Sequence, residues 1–255
     1  MKKILASCPV CHKKNNIPNF NFIKAEQNDD CVYTLECHQG HKFILIQQIQ
    51  RFELKFDLAC ISYINDDYSA SVMHCASAIE RFHQFFVQCL WFNTDDIDRA
   101  YKDYAKYWGV VKNASERQLG AFYSFYLSKI GELEYDLTTK KASFRNKVTH
   151  KGYYCSQEEA YDYLTEAYNY MSKLLRILIN DFEEGKNSAI SYNINLQLNE
   201  FKKKFPNLDV SSSIMAEFHI ISLTDINNIN NPKPLEERLK IYQESIRLTN
   251  NINGI

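Results

Sequence analysis

Arg145 and His150 stand with four residues between them in the run Phe144-Arg145-Asn146-Lys147-Val148-Thr149-His150-Lys151-Gly152-Tyr153. A guanidinium is a fixed cationic fork matched to phosphate, and an imidazole gives or takes a proton near neutral pH. Together they have the chemistry that phosphodiester cleavage requires, and RNA is the first substrate class to consider. On an ideal helix the two positions lie about 140° apart around the axis. They meet only if the helix breaks near Gly152, or if two chains present their motifs to a shared two-fold groove. Lys140, Lys141, Lys147 and Lys151 give the stretch a local positive surface, although four lysines equally describe a solvated helix face.

A second cluster has metal chemistry. Cys8-Pro9-Val10-Cys11 and Cys37-His38-Gln39-Gly40-His41 form two knuckles separated by strand-like segments around Val32, Leu35 and Phe43-Ile44-Leu45-Ile46. Three thiolates and one imidazole would complete a closed tetrahedral zinc site, structural rather than catalytic. His41 is favoured as fourth ligand, because His38 directly follows Cys37 whereas Gly40 can tighten the turn before His41. Cys31 is the rival, in a setting better suited to a buried strand residue. A unit this small has little core of its own, so the metal would contribute much of its stability.

The elements that must carry these groups follow from periodicity. Residues 1–48 read as a small β zinc ribbon. Residues 49–185 read as a helical bundle, because apolar residues recur there at three- and four-residue spacing. Leu54, Leu58, Ile61 and Ile64 mark a first helix, and Met73, Ala76, Ile79, Phe82, Phe86 and Leu90 a long second one. A third runs from Asp95 to Trp108 after Thr94 as N-cap, while Ser115 and Ser156 each begin a capping-box pattern. The last of these helices carries Ala160, Leu164, Ala167, Met171, Leu174 and Leu178 on one stripe. Residues 186–255 read as a small mixed appended element, with strand-like alternation over Tyr192–Leu198 and Ile214–Leu223 and a closing helix from Pro234 to Leu248. The fold class expected is mainly α.

A net charge of −1 excludes a protein that coats nucleic acid by bulk attraction, so any RNA contact must be local. Leu5-Ala6-Ser7-Cys8 has the look of a lipid-attachment site, but the apolar stretch before Cys8 is too short for a signal segment. Charged residues interrupt every later apolar run, so no membrane span is expected and the location expected is cytoplasmic. In that compartment the eight cysteines are metal ligands or thiols. Cys60, Cys75, Cys89 and Cys155 read as small buried hydrophobes, and the 17 Tyr and 16 Phe as packing residues.

Arg145-Asn146 followed by His150, set before the last long helix of a bundle, resembles the motif of the HEPN superfamily (higher eukaryotes and prokaryotes nucleotide-binding). The resemblance covers about residues 50–185. Many such proteins are dimeric, metal-independent endoribonucleases of toxin–antitoxin, CRISPR-linked and phage-defence systems. The resemblance implies that Arg145 steadies the scissile phosphate. His150 would then act as acid or base when the 2′-hydroxyl attacks, leaving a 2′,3′-cyclic phosphate. It gives Asn146 a supporting role at the phosphate or on His150, and makes Glu80, within Ala78-Ile79-Glu80-Arg81-Phe82-His83, a candidate to orient the motif, with His83 a weaker one. Lys141, Lys147 and Lys151 become RNA contacts. In relatives regulated by a nucleotidyltransferase, a tyrosine stands two residues after the histidine; here that place is Gly152 and the tyrosine is Tyr153.

The function expected is a dimeric ribonuclease toxin or defence effector carrying structural Zn2+, restrained by an antitoxin or another partner in a defence complex. One alternative is a HEPN-like bundle that binds RNA or nucleotide without cutting it or acts as a scaffold. Another is a zinc-ribbon regulator whose bundle only dimerises.

Overall fold

Strand-like alternation gives way to a helical period near Gln50, and the architecture changes with it. The computed structural model describes residues 3–15, 22–26, 28, 31–132, 137–206, 210–211 and 218–251. The chain divides into two units, one of Met1–Ile49, Ser191–Phe218 and Lys240–Ile255, the other of Gln50–Ile190 and His219–Leu239.

In the first unit, β1 (Lys3–Ala6) pairs antiparallel with β2 (Ile23–Glu26), and α1 (Pro9–Asn15) follows β1. A second antiparallel pair, β3 (Val32–Glu36) and β4 (Lys42–Ile46), sets Thr34 opposite Ile44. Alternation sends Tyr33, Leu35, Phe43 and Leu45 to one face, where they pack with Ile4, Ala6, Cys8, Cys11 and Cys37. Val32, Ile44 and Ile46 on the other face are covered by Leu198 and Phe201 of α9 (Glu183–Lys204). With both faces buried, Phe43-Ile44-Leu45-Ile46 is a continuous apolar run rather than an alternating one. Strand β5 (Val210–Ser211) adds parallel to β4.

The second unit is built around α3 (Tyr68–Trp91), which packs against α2 (Arg51–Ile64), α5 (Ser115–Lys129), α7 (Ala142–Lys151) and α8 (Gln157–Asp181). The contact pairs Phe52 with Phe82 edge-on at 5.0 Å and Phe86 with Phe122 at 5.4 Å, all four rings fully buried. The α8 stripe lies inside as its period requires, Ala160 through Leu178. Ser156 caps α8 reciprocally: its hydroxyl accepts from Glu159 N and its own N–H donates to the Glu159 carboxylate at 2.8 Å. The short α6 (Leu137–Lys140), α4 (Ile97–Val111), α10 (Ile226–Asn230) and α11 (Leu235–Asn251) complete the helices. The fold is mainly α with a small N-terminal β region, as its patterning indicated.

Four local readings are corrected. Helix α4 is capped by the Asp96 carboxylate rather than Thr94. Ser115 is the first residue of α5, and its N-cap Ala114 supplies no side-chain bond. Residues 192–198 lie within α9, because Leu198 and Phe201 gain more by covering the sheet than their asparagine neighbours lose in helix propensity. Phe218–Leu223 forms no strand, and Ile214–Glu217 lie outside the described residues.

The buried face of α2 also differs from the expected stripe. It keeps Leu54 of that stripe and carries Phe52, Phe56, Ala59 and Cys60 together with two carboxylates, Glu53 and Asp57. These hold the returning segment: Glu53 accepts from Leu223 N at 2.8 Å and Asp57 from Ile220 N at 3.0 Å and His219 Nδ1 at 2.8 Å. Arg238 closes the loop, donating to the carbonyls of His219 and Ile220 and to Asp225.

Candidate functional site

Helix α7 runs unbroken through the motif, with Phe144 against Tyr163 of α8 and Val148 buried. It stops at Gly152, whose φ of 66° is left-handed, and the N–H groups of Gly152 and Tyr153 both turn back to the Lys147 carbonyl. Arg145 and His150 nevertheless reach one cavity of about 300 Å³ on a single chain, with Asn146 between them around the helix. Neither a break in the helix nor a second chain is needed for that, since the long arginine side chain spans the angular gap.

Opposite α7 the cavity is lined from α3 by Ala76, Ile79, Glu80 and His83, from α5 by Ser115, Glu116, Gln118 and Leu119, and from α8 by Tyr163. The four catalytic candidates Glu80, Arg145, Asn146 and His150 therefore face the same space. His83 is buried, stacked on Phe122 at 4.0 Å, and shares a hydrogen bond of 2.8 Å with Tyr170. Gln118 is held at the rim, accepting from Arg81 and donating to the Lys112 carbonyl. Lys141 also lines the cavity but is paired with Glu166 at 2.6 Å, whereas Lys147 and Lys151 are exposed and lie outside the lining.

The side chains of Arg145, Asn146 and His150 make no hydrogen bond or ion pair among the described residues. The Arg145 guanidinium is half-buried at this cavity, which the carboxylates of Glu80 and Glu116 also line. Sequence reasoning missed Tyr163. It is 4% exposed yet lines the cavity, and burial pushes its phenol pKa upward, with Arg145 and Glu80 both close enough to act on it electrostatically. Its place beside the apolar stripe of α8 marked it as packing, and only the cavity distinguishes its hydroxyl.

In the first unit the knuckles converge. Cys8, Cys11, Cys37 and His41 bring their donor atoms within 4.8 Å of one another, a set able to hold a metal ion. Gly40, at φ 76°, donates to the Cys37 carbonyl at 2.8 Å and turns the chain so that His41 Nδ1 faces Cys11 and Cys37 at 3.3 and 3.4 Å. Cys31, at the entrance to β3, is buried outside this group. Burial opposes ionisation of Cys37, but the backbone N–H groups of Gln39 and His41 bring its thiol down to about 6, a ready thiolate. Burial and the neighbouring thiols push Cys11 up instead.

Burial likewise raises the thiols of Cys60, Cys75, Cys89 and Cys155, which leaves them poor nucleophiles. Among the described residues no helix is long and apolar enough to cross a membrane. Comparison with protein-family models, with curated proteins and with solved structures finds no match for this chain.

Proposed function

We propose that the helical unit is a metal-independent endoribonuclease of the HEPN kind and that Cys8, Cys11, Cys37 and His41 hold a structural zinc ion. The observation that carries the nuclease reading is the unpaired trio Arg145, Asn146 and His150 facing one cavity with Glu80 across from it. Arg145 grips the non-bridging oxygens of the scissile phosphate. His150 takes the 2′-hydroxyl proton or returns one to the departing 5′-oxygen, and Glu80 or Asn146 orients the imidazole. The products are a 2′,3′-cyclic phosphate and a 5′-hydroxyl. The enzyme works as a homodimer, with the exposed His150 side of α7 open to a second copy, in a toxin or phage-defence setting where a partner restrains it. Zinc suits the donor set: metal–sulfur bonds of about 2.3 Å in a tetrahedron set sulfurs about 3.8 Å apart, against 3.7 Å between Cys11 and Cys37.

The test is incubation of the protein with mixed cellular RNA in chelator, with mapping of the new ends. A positioned acid or base contributes about 10²–10⁴-fold. His150→Ala and Arg145→Ala should each lower cutting at least 100-fold. Equal cutting by wild type and His150→Ala would remove His150 from the reaction. Binding without cutting would favour an RNA-binding or scaffold role.

A further inference from the structure

We propose that Tyr163 is a further residue of the cavity, donating its phenolic hydrogen to an oxygen of the phosphate held by Arg145. The proposal rests on the phosphodiester reading of the site and adds a donor from a different helix. Three observations carry it. The Tyr163 side chain is almost wholly buried yet lines the cavity. Among the described residues that hydroxyl has no hydrogen-bond partner, and it is not one of the fully enclosed polar atoms, so it is open to a partner in the cavity. Arg145 and Glu80 both lie within electrostatic range of the phenol and line the same cavity.

Its surroundings also keep it a donor. Burial raises the phenol pKa, so the proton stays on oxygen at any working pH. The ring is fixed from one side by Phe144, which precedes Arg145 on α7, with centroids 5.7 Å apart. That contact holds the Tyr163 ring of α8 against α7. Arginine supplies charge and two-point geometry, and tyrosine a single directed O–H. Together they approach a phosphate from two helices and so fix its orientation toward His150.

The test compares wild type with Tyr163→Phe, using inorganic phosphate and a single-stranded 2′-deoxy oligonucleotide, which has no 2′-hydroxyl to attack. Affinity is read by titration calorimetry and fold by the urea midpoint of tryptophan fluorescence. Phenylalanine keeps the ring and removes a hydroxyl with no internal partner, so the urea midpoint should not move. Affinity for both probes should fall about 10- to 100-fold, the range for a hydrogen bond to a charged group.

Equal affinity in the two proteins, no binding by wild type, or a lowered midpoint would each overturn the proposal; a lowered midpoint would make the hydroxyl structural. The two readings separate cleanly. Tyr163-dependent phosphate binding by a protein that cuts no RNA leaves Tyr163 in an anion site and removes the nuclease. RNA cutting that needs His150 but is unchanged in kcat and KM by Tyr163→Phe keeps the nuclease and removes Tyr163.

Discussion

Glu53 makes the stability of the helical unit depend on pH in a direction opposite to most carboxylates. Burial pushes its pKa from 4.5 up to about 7, against the pull of His219 and of the Gln50 and Leu223 N–H groups. Between those two values the folded protein holds a proton that the unfolded chain has released, so stability falls as pH rises from about 4.5 to 7 and then levels off. The shift corresponds to about 3 kcal/mol from this one group. Glu53→Gln stays neutral throughout and keeps only one acceptor for the two N–H donors, a penalty that does not vary with pH. The stability difference between the proteins should therefore change by about 3 kcal/mol in favour of the variant across that window. Urea unfolding followed by tryptophan fluorescence measures it, since Trp91 and Trp108 both lie in the helical unit. The His219 and Asp57 pair is present in both proteins, and its coupling to Glu53 forms part of the difference measured. A difference that stays constant from pH 4.5 to 8 would refute the reasoning.

Metal removal should act on one unit only: a strong chelator, or Cys37→Ser, should reduce far-ultraviolet circular dichroism while leaving the tryptophan emission in place, and a simultaneous loss of both would contradict that independence. Gly185→Ala should destabilise, because a Cβ there would sit 2.1 Å from the Cys89 carbonyl oxygen. Overpacking costs about 1–3 kcal/mol and outweighs a gain of at most about 1 kcal/mol in helix propensity; a raised urea midpoint would sink this. Ser156→Ala removes the α8 cap and should cost about 1 kcal/mol, a fall of roughly 2–4 °C in Tm, and an unchanged Tm would show the cap to be idle.

The helices of the bundle were legible because each buries one stripe of a 3.6-residue period, and the knuckles because Cys-x2-Cys and Cys-x3-His spacing has few other uses. The Arg145–His150 pair was visible as chemistry, but its geometry was not: angular separation on a helix says nothing about how far a guanidinium reaches. Glu53 and Asp57 escaped because a carboxylate on a helix reads as solvent-facing, and the backbone donors that satisfy them arrive more than 160 residues later. Tyr192–Leu198 misled because alternating asparagines imitate a strand, and only the sheet that Leu198 and Phe201 cover decides for helix.

The chain passes between its two units four times, at residues 49/50, 190/191, 218/219 and 239/240. During synthesis the cavity-bearing helices are therefore complete in sequence well before the segment that finishes their unit has been made. Until His219, Ile220 and Leu223 emerge, Asp57 lacks both of these donors and Glu53 lacks one, so the growing bundle contains carboxylates it cannot bury without loss. Arg238, which ties down that segment, comes later still. A nascent chain that stalls after the motif therefore carries Arg145 and His150 on a unit that still lacks its last segment, His219–Leu239.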